Sequence, residues 1–218
     1  MYFVESRNSE ILASPDRRIG DAKLWNDLHL VAIDAATGSP KWEQKLDSMS
    51  QQVVFYLAHA ADQLALVSSA SAAYRVTSFA DSDGRQRWTQ TTQWPEGKGD
   101  HGKAMSRPAI VGDRLFLRPS VLSLHDGAVL PEAMPGGGCG TYACTSNALF
   151  FRAGTVTMWD PATAIQSTWP RLRPDCWLST IPAGGMLLSP EGGGGCSCGS
   201  WMETSIGFMP RVFDKPSK

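Results

Sequence analysis

The 218-residue chain sets 20 Lys and Arg against 21 Asp and Glu, a formal net charge of −1, so no long-range attraction draws it to nucleic acid or to an anionic membrane. Its 42% hydrophobic and 19% charged residues suit a globular protein that buries roughly 70% of its unfolded surface as one domain. No apolar run approaches the roughly 20 residues that span a bilayer, and 21 Gly with 14 Pro favour a turn-rich, all-β chain.

In chain order, MYFVES predicts a strand that begins at once, with Tyr2 and Val4 alternating against Phe3 and Glu5. Glu5 to Asp27 lacks such alternation and reads as a loop insertion with a short helical turn around Ala22 to Trp25. Leu28 to Leu46 then gives a strand about Val31 and Ile33, a turn at Gly38 and a second strand carrying Trp42, which is expected to cap the core. From Val53 a strand, a turn at Ala61 and Asp62 and another strand follow, and His59 among them reads as a plain strand residue. Tyr74 to Thr92 repeats the first unit, with Gly84 and Trp88 related as Gly38 and Trp42 are. Trp94 to Ser106 is the longest polar, Gly-rich connection, and a strand pair turning at Gly112 and Asp113 comes after it. Val121 to Pro131 is a shortened third copy, two strands flank Ser146 and Asn147, and Val156 to Trp169 is a fourth copy in which Asp160 and Thr163 echo Asp34 and Thr37. Met202 to Met209 reads as a closing strand, and helix is expected to be minor.

The copies recur every 37 to 46 residues, the period of a four-stranded propeller blade. The pattern A-x-D-x-x-T-G-x-x-x-W, complete in Ala32, Asp34, Thr37, Gly38 and Trp42, resembles the repeat of the PQQ-like (quinoprotein-type) β-propellers of bacteria. Residues Arg173 to Pro210 are similar to the cysteine-bearing C-terminal end of large bacterial PQQ-like repeat proteins of undefined activity. The resemblance implies an all-β propeller of four-stranded blades, about four of them here, with residues 1–218 as a single PQQ-like region. It also implies that the chain is the C-terminal part of a longer exported protein, whose leader and early blades precede this sequence. A complete chain closing as a small propeller is the alternative.

Two glycine patterns suggest chemistry and lack its setting. Gly97, Gly99 and Gly102 satisfy G-x-G-x-x-G, but Pro95 and Pro108 flank them where a strand and a phosphate-binding helix would be needed. Gly195-Cys196-Ser197-Cys198-Gly199 satisfies G-x-S-x-G, but it follows four glycines and leads into a strand-like segment, so activation of Ser197 would require His101 to arrive from another loop. In the polar connection Asp100, His101 and Met105 form the one constellation able to hold a soft metal or move a proton, against the plainer reading of a solvated loop. His29 and His125 sit beside repeat turns and receive no role.

The five cysteines, Cys139, Cys144, Cys176, Cys196 and Cys198, all fall in the last 80 residues. One reading is a disulfide framework of an exported protein, pairing four and leaving one, with Cys196 and Cys198 reaching different partners because adjacent-but-one cysteines bridge each other poorly. The other is a thiolate zinc or copper(I) site, although the spacing departs from that of structural zinc modules. Quinoprotein dehydrogenases hold their quinone beside a pair of adjacent cysteines and a calcium ion. This chain has Trp177 after Cys176 but no adjacent cysteines and no evident calcium set.

These observations lead to three functional expectations. The first is a non-catalytic, periplasmic or otherwise extracytoplasmic module, without cofactor, that binds a protein or small-molecule ligand at the channel mouth. The alternative is part of a quinone- or metal-dependent oxidoreductase holding PQQ or a metal ion with His101 and the cysteine loops, and a hydrolase using Ser197 is a third, more remote class.

Overall fold

The computed structural model describes residues 1–14, 21–47, 51–95, 106–137, 141–170, 172, 180–190 and 204–209. It is almost wholly β, in five antiparallel sheets whose neighbouring strands follow one another in sequence. The described residues fall into two compact units, one drawn from 1–95 and 106–133 and the other from 134 onward.

The first unit contains three sheets. Strands β1 (Tyr2–Ser6), β2 (Leu28–Ile33) and β3 (Pro40–Leu46) form the first. The second runs β4 (Gln52–Ala60), β5 (Gln63–Ala70), β6 (Ala73–Ala80) and β7 (Gln86–Gln93). The third runs β8 (Ala109–Val111), β9 (Arg114–Leu117), β10 (Ser120–Ser123) and β11 (Val129–Ala133). All of β5 is buried, and its central run Leu64 to Val67 turns apolar side chains to both faces because they alternate across the strand. Leu64 and Leu66 pack with Leu30, Phe79, Tyr2 and Val4 of the seam toward the first sheet. Ala65 and Val67 pack with Tyr74, Val76, Leu115 and Leu117 of the seam toward the third. Each such Leu or Val contributes about 1.5–3 kcal/mol by leaving water.

Between β1 and β2 the expected helical turn is a 3₁₀ turn over Ala22–Trp25, capped by Asp21, whose carboxylate accepts the Lys23 N–H at 2.9 Å. A short helix, α1 (Ser9–Ala13), also stands in this insertion, which was expected to be loop. Asn8 caps it by accepting the Glu10 N–H at 2.9 Å.

Tryptophan and glycine join the sheets of this unit. Trp42 lies opposite Ala32 on its own sheet, yet its ring covers the turn of the next one, where a Cβ added to Gly84 would stand 2.5 Å from the indole. Trp88 does the same to Gly127, again at 2.5 Å. Each indole N–H donates to the carbonyl three residues before that glycine, Trp42 to Asp81 at 2.8 Å and Trp88 to Leu124 at 3.1 Å. The glycines have φ of +73° and +76°, so both conformation and space exclude a side chain. The capping tryptophan expected from the sequence therefore closes the seam between two repeats.

The second unit has one sheet of β12 (Ala143–Cys144), β13 (Leu149–Ala153), β14 (Thr155–Asp160) and β15 (Ile165–Trp169). Another has β16 (Ile181–Ala183), β17 (Met186–Ser189) and β18 (Ile206–Phe208). Leu149, Val156 and Trp159 are buried in the first of these. The Gly184-Gly185 turn, with φ of +58° and +75°, supplies the two positive-φ residues that a tight hairpin between β16 and β17 demands.

The predicted turn echo holds at atomic level. Asp34 Oδ1 accepts the N–H groups of Ala36 and Thr37 at 2.9 and 3.0 Å, and Asp160 Oδ1 accepts that of Ala162 at 2.9 Å. The Thr37 and Thr163 hydroxyls accept the N–H two residues on, at 3.2 and 3.4 Å. These donors hold both carboxyls below the ordinary aspartate range.

Candidate binding site flanking the polar connection

Of the residues singled out from sequence, Asp100, His101, Met105, Cys139, Cys176, Cys196 and Cys198 lie outside the described residues, as do both glycine motifs and Ser197. Cys144 lies on the short edge strand β12, exposed, and burial of its sulfur side pushes its thiol upward. His59 is a strand residue as expected, its Nε2 3.1 Å from Asp81 Oδ2 and its ring stacked on Tyr2. His29 Nε2 sits 3.3 Å from Asp27.

The residues that flank the polar connection are themselves organised. On its entry side Trp94 donates its indole N–H to Ser69 Oγ at 3.1 Å and its backbone N–H to Ala72 at 2.9 Å. On its exit side the buried Ser106 donates its backbone N–H to the Tyr74 hydroxyl at 3.0 Å. Tyr74 is fully buried and stands 6.4 Å, ring to ring, from Trp94. Arg107, exposed, places its guanidinium 5.6 Å from the centre of the Tyr56 ring, a cation–π distance. Arg118 is buried, on the strand end where the chain turns through a cis bond to Pro119, and its charge is felt at the Tyr74 hydroxyl.

Next to these groups the turn between β5 and β6 places Ser71 and Ala72 at φ of 52° and 63°. Neither is glycine, and each such residue costs of order 1–3 kcal/mol, strain that the surrounding packing must hold.

Burial pushes the Tyr74 and Tyr56 phenols above their ordinary range, and the Ser106 and Arg107 hydrogen bonds and the arginine charges only partly reverse it. Both therefore stay protonated at neutral pH. They can donate and accept hydrogen bonds and stack, but they cannot act as bases. With two guanidinium groups beside them, the cluster is suited to holding a group with negative or acceptor character. Sequence reading missed it because its members come from β4, β6 and two loop ends, with no local spacing to link them.

An apolar hollow of about 680 Å³ in the second unit is lined by Phe150, Met158, Trp169, Met186, Leu187 and Phe208 among others, and Thr145 supplies its one side-chain hydroxyl. It can shelter apolar groups but offers little to orient a reaction.

Four carboxylates of the described residues are already engaged. Asp34 and Asp160 are occupied by turn N–H groups, Asp62 pairs with Arg87 at 2.6 Å, and Glu43 pairs with Arg7 at 2.8 Å. Among the described residues no three His, Cys, Asp or Glu side chains gather as a metal would require.

Successive antiparallel sheets of three or four strands at this spacing, joined in the first unit by tryptophan on glycine, define a PQQ-like repeat β-propeller protein. The chain belongs to the family described as outer membrane protein assembly factor BamB, whose model matches residues 26–134. It is similar to the crystal structure of BamB from Moraxella catarrhalis, with 19% sequence identity and a TM-score of 0.43, over 63% of this chain and 45% of that one. The chain thus spans less than half of that solved structure. No curated protein matches it.

Proposed function

We propose that this chain is a non-catalytic binding and scaffolding module that works outside the cytoplasm of a bacterium, in the assembly-factor role that the description of its family names. The observation that carries the reading is the family match over residues 26–134, which takes in the first unit's tryptophan-linked repeats. The flanks of the polar connection support it, since Tyr56, Tyr74, Trp94, Arg107 and Arg118 supply stacking, hydrogen bonding and positive charge without a base or nucleophile among them. The partner proposed is a protein segment that presents a carboxylate or a row of backbone carbonyls to this cluster. Among the described residues no helix is long and apolar enough to cross a membrane.

The test is a photo-crosslinking residue placed at position 107 in the exported protein, compared with one at Lys41 on the far-exposed turn strand. The reading expects one discrete protein adduct from position 107 that disappears in Arg118→Gln. Equal adducts from both positions, or dye-linked oxidation by the purified protein after addition of pyrroloquinoline quinone and calcium, would overturn it.

A further inference from the structure

Strand β3 and the second sheet leave between them a cleft of about 360 Å³ within the first unit. The faces that meet here are apolar where Leu30, Leu64, Leu66 and Phe79 pack, and they turn polar toward β3 and β7. Register explains the change. Ser68, Arg75 and Thr91 stand side by side across β5, β6 and β7, and Leu66, Thr77 and Thr89 form the row beside them. Side chains alternate along β6, so Arg75 and Thr77 turn into the cleft while Tyr74 and Val76 turn to the opposite seam.

Arg75 is half-buried there, and among the described residues its guanidinium has neither an ion pair nor a hydrogen bond. Other arginines of the unit are engaged. Arg7 pairs with Glu5 and Glu43 at 2.6 and 2.8 Å, Arg87 with Asp62 at 2.6 Å and Arg114 with Glu132 at 3.2 Å, and Arg107 rests on Tyr56 at 5.6 Å. A guanidinium that loses part of its hydration without a partner is costly, and a bound anion removes that cost. The amides of Gln44 and Gln86, which also line the cleft, are likewise unpaired among the described residues. Thr89 and Thr77 share a hydroxyl hydrogen bond at 3.2 Å, so one hydroxyl proton of the pair is left to donate into the cleft. At the rim Lys45 is engaged by Asp27 at 3.0 Å and Asp47 is exposed, so a ligand inside meets Arg75 as its cation.

We propose that this cleft binds a small monovalent carboxylate that also carries hydroxyl groups, the chemistry of a sugar acid. The planar guanidinium of Arg75 offers two parallel N–H donors that match the two oxygens of one carboxylate, whereas a phosphate would call for a second cation. The Gln44 and Gln86 amides each donate and accept, as hydroxyl groups require, and Phe55 supplies an apolar wall for the C–H face of a ring. At about 360 Å³ the cleft stands at the small end of ligand sites, which run from about 300 to 1,000 Å³, and it suits one ring rather than a chain of them. It shares no residue with the Tyr56 and Arg107 cluster, whose Tyr56 and Tyr74 lie on the opposite face of the second sheet, so the two sites stand or fall separately.

The probe is D-glucuronate, titrated into the whole isotopically labelled chain while backbone amide and arginine side-chain resonances are followed. Saturable shifts centred on Gln44, Arg75, Thr77 and Gln86 are expected. D-glucose, which lacks the carboxylate, and acetate, which lacks the hydroxyls, should each bind at least about tenfold more weakly. Arg75→Gln should weaken glucuronate at least about tenfold, and Arg75→Lys, which keeps the charge and loses the fork, at least about threefold. Lys41→Gln, at an exposed cation outside the cleft, should leave the affinity unchanged. No saturation up to tens of millimolar glucuronate, shifts centred elsewhere, or an unaltered affinity in Arg75→Gln would overturn the proposal. So would D-glucose, acetate or inorganic phosphate binding as tightly as glucuronate.

Discussion

The first unit and the second are built from the same strand-turn-strand motif but differ in the device at the turn. In the first, Trp42 and Trp88 close on Gly84 and Gly127, and the unit has no cysteine. In the second, Ala164 stands at the sequence position of the turn glycine and Thr168 at that of the tryptophan, and all five cysteines fall between 139 and 198. In the first unit the indole of one repeat and the glycine of the next are two halves of one latch. We propose that covalent links among the cysteines do in the second unit what packed indoles do in the first.

The largest expected effect breaks the first latch. Trp88→Ala removes a buried ring and should cost about 3–5 kcal/mol in urea titrations, and Trp42→Ala, on a partly exposed ring, about 2–3 kcal/mol. A loss below about 1 kcal/mol for Trp88→Ala would show that the seam is not the source of stability.

The cysteine half of the comparison is sharpened by reduction. Protein exported to an oxidising compartment, then denatured and alkylated without reductant, should show one free thiol by intact mass. Reductant should weaken the second unit by about 2–5 kcal/mol and leave the first unit's hydrogen-exchange protection unchanged. Five free thiols would contradict the covalent reading and direct attention to a metal or redox site.

Ala164→Gly relieves a positive-φ alanine and should raise stability by about 0.5–1 kcal/mol, whereas the same change of residue in reverse at Gly127 should be strongly destabilising. The smallest effect concerns pH. Because burial raises the Tyr74 pKa in the folded chain, its contribution to stability is present below the unfolded value of about 10 and is lost as pH rises through the folded value. Absorbance titration at the phenolate band should therefore show one fewer late-ionising tyrosine in Tyr74→Phe than in the natural chain, where Tyr56 is raised as well.

Much of the fold was legible because it is local. Alternation located the strands, and Asp34 with Thr37 and Asp160 with Thr163 announced turns whose hydrogen bonds close within four residues. Helix α1 escaped because five residues show no period, and the Gly184-Gly185 hairpin was submerged in a stretch whose glycines and cysteines drew attention elsewhere. Trp42 and Gly84 were each marked by the repeat, but that they touch is a fact of packing across 42 residues, which spacing does not encode. The same holds for Tyr74 with Ser106 and for Arg107 with Tyr56, whose meeting depends on sheets stacking side by side.

The central claim is that an indole of one repeat and a glycine of the next form a single latch, and a double-mutant cycle tests it most directly. Gly84→Ala should destabilise by about 2–3 kcal/mol in the natural background, where the new Cβ meets Trp42, and by only about 1 kcal/mol in Trp42→Ala, where the backbone term alone remains. A coupling of at least about 1 kcal/mol is the predicted result. Strict additivity of the two changes would contradict the account.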